Sequence, residues 1–104
     1  MRMVRWMCNV SLKDRKSSQE LRDRCGLESI RLSLQRQRLR WFGHVERLDV
    51  DNWVRKSRDI VVDGKSERGR PRKTWAQVIG KDLEEKHLQP MLAQDRLEWR
   101  RAIR

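Results

Sequence analysis

Tyrosine is absent from this chain, and phenylalanine and threonine each occur once. Residues that favour pleated strands are therefore scarce. Leucine, arginine, glutamate, glutamine and lysine, all good helix formers, take their place. Cysteine is nearly absent too: only Cys8 and Cys25 are present. A disulfide scaffold is excluded, and in a reducing compartment the two are expected to be small buried thiols. With His44 and His87 they make four potential zinc ligands, spaced 17, 19 and 43 residues apart. Structural zinc sites bring ligands in closely spaced pairs, so no metal is expected. No apolar run approaches the roughly 18 residues that a membrane span needs. Met1–Val10 is basic and apolar but lacks a signal-peptide h-region with a small-residue cleavage site. The expected compartment is intracellular, with the nucleus favoured.

Catalytic patterns are missing as well. No serine or cysteine has an evident paired base, no glycine-rich phosphate loop occurs, and no Asp-Asp pair lies in a strand pattern. His44, in Trp41-Phe42-Gly43-His44-Val45, reads as a satisfied, partly buried group. The carboxylates mostly lie within a turn of a base, as on solvated helix faces. No enzyme is expected, and no cofactor.

What the chain has in excess is positive charge. Its 104 residues carry 26 Lys and Arg against 15 Asp and Glu, a net charge of +11 and a pI of about 11.0. A domain this basic is expected to meet a polyanion, nucleic acid before anionic membrane. The length allows one domain, and 37% hydrophobic residues against 39% charged make its core thin.

The spacing predicts an all-α fold, a small bundle of four to six helices. A short helix covers 2–9. Ser11 with Asp14 and Ser17 with Glu20 are two N-cap signals; the second opens a helix over 18–25 that Gly26 stops. A long helix runs over about 28–48, with a stripe of Ile30, Leu34, Trp41, Val45 and Leu48 that Leu39 and Phe42 widen. Gly43 within it permits a close helix contact. Asp51 or Asn52 caps a short helix over 53–58. Ile60-Val61-Val62 before Asp63-Gly64 suits one short strand or extended segment. Thr74 caps a helix over 75–86 whose stripe is Trp75, Val78, Ile79 and Leu83. Pro90 opens a last helix with Leu92, Trp99 and Ile103 on one face. The parts are thus 1–63, 64–73 and 74–104, the last a helical hairpin, within one domain overall. Of the five tryptophans, Trp6, Trp41, Trp75 and Trp99 read as helix anchors in a core short of aliphatic volume; Trp53 has no assignment.

Residues 64–73 lack periodicity and carry Lys65, Arg68, Arg70, Arg72 and Lys73 against Glu67. They read as an exposed basic arm. Within it, Arg68-Gly69-Arg70-Pro71-Arg72-Lys73 is the sharpest motif. Pro71 biases Arg70 towards extended backbone, and Gly69 lets the chain approach a surface closely. Guanidinium groups on such a thin ribbon suit the narrow minor groove of A·T-rich DNA. The alternative is a solvated basic loop between two helices. Arg36, Arg38, Arg40 and Arg47 on the long helix form a second candidate nucleic-acid surface.

Three blocks together carry a family resemblance. They are Arg38-Leu39-Arg40-Trp41-Phe42-Gly43-His44-Val45-Glu46-Arg47, then Arg68-Gly69-Arg70-Pro71-Arg72-Lys73-Thr74-Trp75, then Asp95-Arg96 with Trp99-Arg100. In this order they resemble the C-terminal tail of endonuclease–reverse transcriptases encoded by non-LTR retrotransposons. Met3–Val10 and Leu12-Lys13-Asp14-Arg15 resemble the stretch beyond that family's polymerase core, and Met1 aligns inside the family's sequence. The polymerase's aromatic-x-Asp-Asp turn, the upstream nuclease and the Cys/His knuckles of some relatives have no counterpart here. The resemblance implies a detached tail, from a truncated element copy or a short derived gene, offering an accessory surface for template RNA or target DNA. A module docking on a polymerase, and a remnant without selected function, are the alternatives.

Overall fold

The structure, a computed structural model, describes residues 1–65 and 67–104. Among the described residues all regular structure is helical and no strand occurs. The α-helices are α1 (Arg2–Met7), α2 (Ser18–Arg24), α3 (Ile30–Glu46), α4 (Trp53–Asp59), α5 (Trp75–Glu85) and α6 (Arg96–Ala102). Single 3-10 turns lie at Leu12–Asp14 and Pro90–Gln94. Ile60–Val62 is exposed and outside regular structure, so it forms no strand, and Ile60 itself has extended backbone. No helix among the described residues is long and apolar enough to cross a membrane. The chain divides into two compact units, Met1–Leu34 and Gln35–Arg104. The division falls within α3.

In the first unit the local signals act as written. The Ser11 hydroxyl accepts from the Lys13 N–H at 3.2 Å while the Ser11 N–H donates to Asp14 at 2.7 Å, which closes a capping box. The Ser17 hydroxyl accepts from the Glu20 N–H at 3.0 Å and starts α2. Helices α1 and α2 stop alike. A left-handed residue, Asn9 or Gly26, follows the last turn, and the next N–H reaches back, Val10 to the Arg5 carbonyl and Leu27 to the Arg22 carbonyl. The two residues just before these stops are Cys8 and Cys25. Their sulfurs lie 3.1 Å apart as free thiols, adjacent and half-buried where buried thiols were expected. The hydrogen bond with Cys8 pushes the Cys25 thiol up from its ordinary value. Leu21 is the buried residue of α2, whereas Trp6 is 81% exposed and anchors nothing.

The second unit is organised around Leu39, Phe42, Ile79, Ala93, Trp99 and Ile103, with Trp75, Leu83 and Leu88 against them. Each fully buried aliphatic or aromatic side chain here contributes roughly 1.5–3 kcal/mol. Phe42 is the meeting point, with ring centroids 6.3 Å from Trp75 and 5.9 Å from Trp99. The buried positions of α3 are Gln35, Leu39, Phe42, Gly43 and Val45. The expected stripe therefore needs correction: Ile30, Leu34 and Trp41 are half or more exposed. Polar residues on the buried face displaced it. Gln35 donates to Asp82 and Glu85, and Arg38 holds Asp82 through two hydrogen bonds of 2.7 and 3.0 Å.

Gly43 has the close contact expected of it. A Cβ there would lie 2.3 Å from Trp99 Nε1, and that indole N–H donates to the Leu39 carbonyl at 2.9 Å. Asn52 is the residue that caps α4, accepting from the Val54 N–H. Arg55 and Arg58 then tie α4 back to Leu48 and Glu46 at the end of α3. The last predicted helix is broken in two, because Asp95 interrupts it and caps α6 through the N–H groups of Leu97 and Glu98.

Candidate nucleic-acid interface

Two basic surfaces belong to the second unit. The first is the arm. Its described residues are exposed throughout, including Arg68, Gly69, Arg70, Pro71, Arg72 and Lys73; Ser66, inside the predicted arm, lies outside the described residues. Among the described residues no carboxylate pairs with these four bases. The ribbon is not straight: the chain bends at Arg68–Arg70, where Gly69 takes φ 132°, a conformation that a side chain resists. The C-terminal end of the arm is fixed. The Thr74 hydroxyl accepts from the Gln77 N–H at 3.3 Å, the Gln77 side chain accepts from the Thr74 N–H at 3.1 Å, and Trp75 follows against Phe42. Charge presented from an exposed segment with one fixed end suits a polyanion, since phosphate contacts need reach more than exact fit.

The second surface begins from the four arginines expected on the long helix, which do not act together. Arg38 is committed to Asp82, whose hydrogen bond holds its guanidinium above the ordinary value. Arg36 is half-buried and Arg40 is exposed. Arg47, just past the end of α3, donates to the Ala93 carbonyl at 2.7 Å. Arg40 and Arg47 do share a site, but with partners from elsewhere. They line an open groove of about 680 Å³ together with Trp41 and His44 of α3 and Arg96 and Arg100 of α6. Trp99 and Ile103, which are core residues, lie along its floor.

Electrostatically the groove is one-signed. No acidic residue lines it, and among the described residues no carboxylate pairs with Arg40, Arg96 or Arg100. Burial and the nearby Arg96 lower the Arg47 guanidinium below its ordinary value. Two neighbouring guanidiniums without a counter-charge make a place where an anion is stabilised. Trp41 is half exposed, and its ring lies 5.2 Å from that of His44 at a 41° tilt. His44 is exposed rather than a partly buried, satisfied group, and Trp41 is a groove wall rather than a core anchor. No cluster of three or more His, Cys, Asp or Glu side chains among the described residues is placed to hold a metal ion.

Comparison with protein-family models, with curated proteins and with solved structures gives no match. Phe42 packs against Trp75 and Trp99 beside the groove. Arg40 and Arg47 line that groove together with Arg96 and Arg100. Sequence reading missed Arg96, Arg100, Trp41 and His44 as site residues. Their signal was the helical spacing of 40, 44 and 47 and of 96 and 100, which puts each set on one face, but only tertiary packing sets the two faces opposite each other.

Proposed function

We propose that this chain is a non-catalytic nucleic-acid-binding tail, related to the C-terminal region of non-LTR retrotransposon reverse transcriptases. The observation that carries the binding is the groove: four arginines, no carboxylate, and an exposed indole and imidazole between them. The exposed arm at Arg68–Lys73 supports the same reading, as does the net charge of +11. The arm positions the chain on phosphates, and the relation to the retrotransposon family rests on the three sequence blocks.

The test is fluorescence anisotropy of the purified chain with an A·T-rich duplex, a G·C-rich duplex and a structured RNA across a salt series. If the arm contacts about three to five phosphates, log affinity falls with log salt at a slope of roughly −3 to −4.5 on B-DNA. Replacing Arg68, Arg70, Arg72 and Lys73 by Ala flattens that slope and leaves the helical circular dichroism unchanged. Preference for the A·T-rich duplex, eroded by Arg70→Lys and by Pro71→Ala, identifies minor-groove reading. No saturable binding to any of the three at low salt overturns the proposal.

A second reading, a module that docks on a polymerase core, is favoured by α1, where Met3, Trp6 and Met7 are 71%, 81% and 57% exposed. Replacing those three by Ser abolishes co-purification with such a core if this reading holds, and leaves it intact if it does not.

A further inference from the structure

From the groove between α3 and α6 we infer a binding site for single-stranded nucleic acid, in which one unpaired base stacks on Trp41 and its phosphate lies between the guanidiniums of Arg47 and Arg96. This rests on the nucleic-acid reading above and narrows it to one site and one strandedness.

Three observations carry the inference. The indole of Trp41 is half exposed and lines the groove instead of the core. Its flat face is of use to a ligand only if that ligand has an unstacked π-surface. Bases in a duplex do not, whereas base–aromatic stacking is the common device of single-strand binders. The guanidiniums of Arg47 and Arg96 line the same cleft as the indole, so a base on Trp41 and a phosphate on the arginines would share one site. Arg47 is held in place by the Ala93 carbonyl at 2.7 Å, so it is pre-organised for an anion rather than swinging in solvent. The volume of about 680 Å³ falls among pockets that take one small ligand. A duplex presents no unstacked base to Trp41 and would meet the groove through its phosphates alone. The arm, by contrast, has no aromatic residue between Gly64 and Thr74, so it offers no stacking and does not discriminate strandedness in this way.

The experiment compares a short single strand with a duplex of the same sequence, as DNA and again as RNA, against the parent chain and three variants. Trp41→Phe keeps a stacking face, Trp41→Leu keeps apolar cover without one, and Arg96→Glu reverses the charge beside Arg47. Trp41→Leu is expected to weaken single-strand binding by roughly 5- to 150-fold, the range for loss of one stacked base, with duplex affinity unchanged. Trp41→Phe retains most of the single-strand affinity, and Arg96→Glu loses it. Unaltered thermal unfolding of both Trp41 variants shows that the fold is intact. If Trp41→Leu binds the single strand as the parent does, the inference fails while the nucleic-acid reading stands. If the parent binds neither form, the wider reading fails first. A DNA-to-RNA ratio away from unity identifies the source of the strand.

Discussion

One methyl group at Gly43 is expected to destabilise the second unit by about 3 kcal/mol, although alanine is the better helix former. The new Cβ would lie 2.3 Å from Trp99 Nε1, 2.5 Å from Trp99 Cδ1 and 3.0 Å from an Arg47 guanidinium nitrogen. Comfortable carbon contacts are ~3.5–4.0 Å, so the indole must retreat by more than about 1 Å. It has nowhere easy to go. Trp99 is 2% exposed, packs on Phe42, and is tied to the Leu39 carbonyl. Overpacking costs ~1–3 kcal/mol, and a buried indole N–H pulled from its acceptor costs ~1–3 kcal/mol more. The gain in helix propensity returns only about 1 kcal/mol. At roughly 4–8 °C per kcal/mol for a unit of this size, thermal unfolding followed by circular dichroism should drop by roughly 12–24 °C. The control is Gly80→Ala in α5, where a Cβ meets nothing within 4 Å; there the same substitution should stabilise by about 1 kcal/mol. In a Trp99→Phe background, Gly43→Ala should cost less, with a coupling on the order of 1–2 kcal/mol. A Gly43→Ala protein as stable as the parent would refute the argument, because the indole would then not occupy that space.

Arg38→Met leaves Asp82, 5% exposed, with Gln35 but without its cation; a loss of about 1–3 kcal/mol is expected in urea unfolding, and Arg38→Met with Asp82→Leu should recover most of it. Asp95 is held below the ordinary value of 3.8 by the N–H groups of Glu98 and Leu97. Its stabilising effect is therefore complete above that value and is lost as pH falls through the lower folded one. Asp95→Asn keeps a cap but should remove this acid-side loss of α6 helicity. Glutathione disulfide should oxidise Cys8 and Cys25 to a cystine, being reduced itself to two glutathione thiols. The product should be lighter by two hydrogens and refuse alkylation, whereas two reactive thiols after equilibration would count against the adjacency.

Local chemistry was the legible part of this sequence. Ser11, Ser17, Asn52 and Thr74 each cap the turn that follows, because a cap is decided by residues within one turn of it. The face of α3 was not legible. Gln35 and Arg38 belong to the buried side only because Asp82 and Glu85, almost 50 residues on, receive them. That leaves Ile30, Leu34 and Trp41 as an apolar pattern pointing outward. The tryptophans misled for the same reason. Spacing puts Trp41 and Trp99 on helices equally well, and which is buried depends on the glycine that makes room for Trp99 and on the neighbours that leave Trp41 uncovered. The arm's exposure followed from its composition, whereas the partners of Arg40 and Arg47 required the packing of α6.

The hydrogen bond between Trp99 and Leu39 joins residues 60 positions apart, and this has a bearing on how the protein is born. Synthesis proceeds at ~5–20 residues per second, so Leu39 and Phe42 wait roughly 3–12 seconds after translation before their partner is made. During the last part of that interval the apolar side of α3 has only Trp75 and Ile79 to cover it. A nascent chain stalled before Trp99 would present that side, with the slot at Gly43 empty, to the chaperones at the ribosomal exit.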